Sequence, residues 1–85
     1  MLYVRGTLTP DATGTYYDAG EVNLHRYYER ENSEYTISYS AGYWIIWGEQ
    51  PDPLSYPVWE VNQEGVEGNY SPNYLATGTA TVSQT

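Results

Sequence analysis

His25 and a few pairs of carboxylates are the residues of this chain whose types could do chemistry. A Ser–His–Asp arrangement needs a nucleophile on a sharp turn, a base beside it, and amide donors for the oxyanion. No Ser here sits in a G-x-S-x-G turn, so His25 is read as a surface strand histidine. Glu29/Glu31 and Glu64/Glu67 are paired in sequence. Glycoside hydrolysis would need two carboxylates facing each other across a cleft, and solvated charge is the plainer reading. One His and no Cys exclude a zinc site and a disulfide framework. Asp52, Glu64 and Glu67 fall in expected loops, but no D-x-D-x-D-G run suits calcium. No GxxxxGK[ST] or GxGxxG motif is present. The sequence therefore assigns no catalytic residue, no cofactor-binding residue and no metal ligand, and the chain is expected not to be an enzyme.

The positive signal is aromatic. There are 11 Tyr and 3 Trp but no Phe. A small β domain without Phe must build its core from Tyr and Trp, whose polar tips then need partners. Surplus rings on a rigid sheet would stack on sugars or anchor a protein interface. Charge narrows the partners. Eleven acidic residues face three Arg, for a formal net charge of −8. That balance disfavours nucleic acid and anionic membrane surfaces, since phosphate binding depends on cations. No run of about 18 apolar residues is long enough to span a bilayer. "MLYVRGTLTP" lacks the pattern of a secretion signal, which points to synthesis in the cytoplasm.

These residues must be positioned by strands. Short alternating runs separated by Gly, Pro, Asn and Ser predict one all-β domain over 1–85. The expected architecture is a small antiparallel sheet, sandwich or partly open barrel built on a meander. Strands are expected near 3–8, 14–19, 24–31, 34–39, 43–48, 56–61 and 77–83, with 49–57 and 62–69 as loops. A turn at Asn32–Ser33 pairs Tyr28 with Ile37. A three-residue turn "SAG" at 40–42 pairs Tyr39 with Tyr43, Ile37 with Ile45 and Tyr35 with Trp47. That register gives one core face, Tyr28, Tyr35, Ile37, Tyr39, Tyr43, Ile45 and Trp47, whose ends Arg26 and Arg30 close by stacking on Tyr39 or Trp47. The opposite face carries Tyr27, Trp44 and Ile46. With Trp59 these form the candidate interaction face. A one-residue slip would exchange the faces of a strand. "Ala-Thr-Gly-Thr" recurs at 12–15 and 76–79, read as edge or closing strands of a similar kind.

Gly14-x-Tyr16, Asn23, Tyr27-Tyr28, "EYTISYSAGYWII", "EGNYSP" and "ATGTATVS" form a spaced pattern over about residues 6–83. It resembles a small aromatic-rich β module that recurs in tailed-bacteriophage structural proteins and large bacterial surface proteins. That module carries an Asn-Gly turn where this chain has Asn23-Leu24. Leu disfavours the left-handed backbone of a type I′ turn, so such a turn is not expected at 23–24. The resemblance supplies no catalytic residue. It implies an accessory structural role on a virion or, alternatively, a bacterial surface. The leading expectation is a head-decoration or tail-associated virion protein, made in the host cytoplasm, that binds capsid or tail subunits and could also self-associate. Two alternatives are a carbohydrate-binding module using exposed Trp and Tyr, and an acidic inhibitor that mimics nucleic acid.

Overall fold

A computed structural model describes residues 1–31, 34–49, 55–73 and 76–85. Among them are eight strands: β1 (Leu2–Arg5), β2 (Gly14–Val22), β3 (His25–Arg30), β4 (Tyr35–Ser40), β5 (Tyr43–Glu49), β6 (Ser55–Val61), β7 (Gly68–Pro72) and β8 (Ala80–Ser83). Each pairs antiparallel with the next, and β8 returns to β1 through Val4 opposite Val82, closing a barrel. The all-β class follows as expected, and closure removes the two free edges that an open sheet would expose. The expected turn at Asn32–Ser33 and the loop residues 50–54, including Asp52, lie outside the described residues.

An eight-stranded barrel has an interior just wide enough for side chains to fill. Here the filling is Leu2, Val4, Tyr16, Tyr35, Ile37, Trp44, Ile46, Trp59, Tyr70 and Val82, all buried. Five of these residues carry polar tips, and four of the tips donate to loop carbonyls. Tyr16 Oη donates to the Ala12 carbonyl at 2.7 Å, and Tyr70 Oη to the Val66 carbonyl at 2.6 Å. Trp59 Nε1 reaches the Gly78 carbonyl and Trp44 Nε1 the Glu64 carbonyl, both at 2.9 Å. Among the described residues no buried side-chain donor is left unsatisfied, and the same bonds tie the connecting loops to the barrel. Tyr16 and Tyr70 use the same device, a hydroxyl bonded four residues upstream, comparable to the tyrosine corner of β-sandwiches. Each follows a glycine at strand entry, Gly14 and Gly68. At Gly68 φ is +150°, a backbone that other residues rarely adopt.

The β3–β4 register is as expected, with Tyr28 opposite Ile37. The β4–β5 register is not. Tyr39 lies opposite Trp44, Ile37 opposite Ile46, Thr36 opposite Trp47 and Ser40 opposite Tyr43. The turn has two residues rather than three: Ala41 at φ 51° and Gly42 at φ 90°. A two-residue type I′ hairpin needs positive φ at both positions, and Ala is a poor signal for the first. The one-residue slip exchanges the faces of β5. Trp44 and Ile46 point into the barrel with Ile37, while Tyr43, Ile45 and Trp47 point out. A register shift between Ile46 and Trp47 puts an extra residue into β6, so the consecutive residues Val58 and Trp59 are both buried.

Other expectations are corrected too. Residues 68–72, expected within a loop and beyond it, form β7, whose single large apolar residue is the inward Tyr70. The "Ala-Thr-Gly-Thr" segments do not play matching parts. The first enters β2, whereas Thr77 of the second makes an isolated bridge to Thr9. The turn at Asn23-Leu24 is of the two-residue kind after all, with φ 52° and 66°. Arg30 stacks over Tyr35 at 4.7 Å rather than on Trp47, and its Nη1 donates to the Asp11 and Thr13 carbonyls. Arg26 closes no end of the core; it forms a bidentate pair with Asp18 at 2.9 and 2.7 Å.

Candidate functional site

Of the four residues expected on an interaction face, three are interior. Trp44 is 4 % exposed, and Ile46 and Trp59 are fully buried, so none can meet a partner. Tyr27 alone keeps an outward place. Its ring lies against Gly20, where an added Cβ would come within 3.1 Å of it. Of the expected core, Tyr28, Tyr35, Ile37 and Tyr39 belong to the core or pack on it. Ile45 is buried as expected, at 8 % exposed, although it lies on the outer side of β5 and outside the main cluster. Tyr43 and Trp47 do not belong to the core: β5 turns them to the outer surface.

The true outer face can be built from the pairings. On β4 the outward residues are Thr36, Ser38 and Ser40, three half-buried hydroxyls in a column. On β5 the outward residues are Tyr43, Ile45 and Trp47, opposite Ser40, Ser38 and Thr36 respectively. On β3 Glu29 is opposite Thr36, and continuing that register sets Tyr27 beside Ser38. On β6 Glu60 is opposite Ile45. The outer face therefore carries a column of half-buried hydroxyls on β4 beside Tyr43 and Trp47 of β5, with Ile45 buried between them. Trp47 Nε1 donates to Ser38 Oγ at 2.8 Å, which fixes the indole against that column. Glu60 Oε1 accepts from Asn73 Nδ2 at 2.8 Å.

The second outer feature is the tip of the β2–β3 hairpin. Leu24 is 91 % exposed and Val22 42 % exposed. The backbone beneath them is held firmly. Asp18 accepts both Arg26 nitrogens and the Gly20 amide. The Arg26 hydrogen bond, with the Gly20 amide adding to it, holds the Asp18 carboxyl below the usual range. Asn23 Nδ2 donates to the Tyr39 carbonyl at 3.1 Å, and His25 Nδ1 lies 2.8 Å from the Asn23 carbonyl. His25 is more than a surface histidine. Its ring stacks on Tyr39 at 4.0 Å and meets Trp44 edge-on at 5.6 Å, so it plugs this end of the barrel. Sequence reasoning missed the hairpin tip because it read Leu24 as a reason against the turn.

An open cleft of about 350 Å³ is lined by Thr13, Gly14, Thr15, Arg30 and Glu31. Asp11 closes the neighbouring loop by accepting from the Thr13 hydroxyl and amide, which lower its pKa. Glu64 and Glu67 serve the fold through other atoms. The Glu64 carbonyl receives Trp44, and the Glu67 carboxylate accepts the Gln84 amide at 3.0 Å. Among the described residues no three His, Asp or Glu stand close enough together to hold a metal ion. Compared with known proteins, the chain matches no family model, no curated protein and no solved structure.

Proposed function

We propose that this chain is a non-enzymatic accessory structural protein of a bacteriophage virion, a head-decoration or tail-associated component. It docks on capsid or tail subunits through the outer surface of the β2–β3 hairpin. The observation that carries this reading is Leu24. It combines two costs in the free molecule, a left-handed backbone at φ 66° and a side chain almost wholly in water. A left-handed L-residue costs about 1–2 kcal/mol. Docking removes the exposure cost by burying Leu24 and Val22, and the hydrogen-bonded base presents them without further ordering. Strain held in place by surrounding structure is a mark of functional positions.

Charge sets the rest of the partner's chemistry. A net charge of −8 favours an apolar socket rimmed by Arg or Lys and opposes a second copy of the same chain. The spaced Gly and aromatic pattern that resembles phage structural modules supports placing that partner on a virion. Mass spectrometry of purified particles tests the assignment: the protein should be present in stoichiometric amounts. Particles that lack the protein are then incubated with purified chains. Wild type should reload, and Leu24→Gly should reload at least about tenfold less well while staying folded. Consistent absence from particles would defeat the virion reading, and equal loading of Leu24→Gly would defeat the docking surface.

A further inference from the structure

We infer that the outward side of β2 and β3 around Tyr17 is a docking surface for an extended Arg-x-Arg segment of a partner protein. Tyr17 lies roughly 16 Å along β2 from Val22. This surface is therefore separate from the hairpin tip, and it does not depend on what the tip docks against.

The surface follows from the pairing of the strands. Tyr16 is buried inside the barrel, so its neighbour Tyr17 points out and is 43 % exposed. Glu29 is directly opposite Tyr17, and Arg30 is opposite Tyr16. Continuing that register sets Glu31 beside Thr15, and both line the open cleft of about 350 Å³. The cleft therefore adjoins the Tyr17–Glu29 pair. On the β1 side, Leu2 is opposite Tyr16, which sets the exposed Met1 beside Tyr17. The result is an exposed phenol ring with apolar surface on one flank and two carboxylates beside a cleft on the other. Cross-strand neighbours stand about 4.5–5.5 Å apart at Cβ, so one side chain laid over Tyr17 reaches Glu29 as well.

Charge names the occupant. Neither Glu29 nor Glu31 has a cation beside it among the described residues. The chain's own arginines are engaged elsewhere. Arg5 donates to Ser83 and to the Thr85 carbonyl, Arg26 to Asp18, and Arg30 to the Asp11 and Thr13 carbonyls. In a chain of net charge −8, the missing cations come from another molecule. A guanidinium suits the place better than an ammonium, because its plane stacks on a ring while its fork donates to a carboxylate. Glu29 and Glu31 are two residues apart on one side of β3, roughly 6.6 Å, which is the spacing of alternate side chains in an extended partner. Arg-x-Arg therefore meets both carboxylates. The closed barrel offers no free edge for strand addition, so recognition runs through side chains.

The test is an NMR titration of the isotope-labelled protein at low salt with short peptides of equal charge. One carries Arg-Ser-Arg, one Lys-Ser-Lys, and one the same two Arg side by side. The Arg-Ser-Arg peptide should bind about threefold or more tighter than the others, with shifts centred on Tyr17, Glu29 and Glu31. Tyr17→Ala and Glu29→Gln should each weaken it about threefold or more, the range of an exposed ring–cation contact or ion pair. Glu29→Gln keeps the shape of an exposed side chain, so it decides the matter if Tyr17→Ala perturbs folding. Glu64→Gln, which removes a charge between β6 and β7, should bind as wild type does, and so should Leu24→Gly. Equal binding of the lysine peptide, equal weakening by Glu64→Gln, loss of binding in Leu24→Gly, or no shift at Tyr17 would each overturn the inference.

Discussion

Replacing Ile45 and Ile46 one at a time with Thr separates the two possible registers of β5. Ile46 is fully buried in the barrel core, opposite Ile37 and Trp59. Ile46→Thr deletes one carbon and turns a second into oxygen, a transfer loss of about 1.6 kcal/mol at roughly 0.8 kcal/mol per methylene. The new hydroxyl lies among apolar side chains, and an unsatisfied buried hydroxyl adds about 1–3 kcal/mol. The sum is about 2.5–4.5 kcal/mol, a large share of the roughly 5–15 kcal/mol that a domain commands. Ile45 is shielded by its outer-face neighbours, yet it points away from the core toward Ser38 and Glu60. There a Thr hydroxyl can bond Ser38, so the unsatisfied-hydroxyl penalty falls away and the transfer loss of a buried side chain, about 1.6 kcal/mol, remains. In a domain of this size each kcal/mol moves Tm by about 4–8 °C. Urea unfolding followed by tryptophan fluorescence, with the slope unchanged, measures both values. If Ile45→Thr proved the more damaging change, the three-residue turn would be right and Ile45, not Ile46, would face the barrel interior.

Three further outcomes follow from the same contacts. Burial pushes the Tyr16 and Tyr70 hydroxyls above the ordinary tyrosine pKa of 10.0. The folded state therefore holds those protons longer than the unfolded chain, so their contribution is complete below about pH 10 and is lost as pH rises further. Tyr70→Phe should cost about 1–2 kcal/mol at pH 7, because the Val66 carbonyl loses its donor, and should flatten the alkaline fall measured by urea unfolding at pH 9 to 11. Gly68→Ala should destabilise by about 1–3 kcal/mol, given its φ of +150°; Gly65→Ala, with open space around it, serves as the near-neutral control. Leu24→Gly should raise Tm by about 4–8 °C through relief of roughly 1 kcal/mol of backbone strain; a lowered Tm would show that Leu24 is unstrained.

The sequence disclosed the class of the fold because its signals are local. Gly, Pro and Asn punctuate short alternating runs, and Tyr28 opposite Ile37 follows from alternation alone. Closure into a barrel was not legible, since β7 is five residues of mostly polar character with Tyr70 as its one inward anchor. The site was misplaced for a different reason. Both critical turns put a residue with a Cβ where Gly or Asn is usual, Leu24 in one and Ala41 in the other. Propensity argued against each turn, and tertiary packing prevailed. At 41–42 the burial of Trp44 and Ile46 selects the tighter turn. At 23–24 the Asn23 bond to Tyr39 and the His25 stack hold the hairpin in place. A residue that breaks the local rule marks where the fold is set by distant contacts, and one of the two, Leu24, is also the most exposed large apolar side chain among the described residues.

The placement of every outer-face residue rests on the pairing of β4 with β5, and backbone proton contacts in solution report that pairing directly. With a two-residue turn, cross-strand NMR contacts join Tyr39 to Trp44 and Ile37 to Ile46, and Trp47 stands on the outside with Thr36 and Ser38. Contacts joining Tyr39 to Tyr43 and Ile37 to Ile45 instead would return Tyr43, Ile45 and Trp47 to the inner face and turn Trp44 and Ile46 outward.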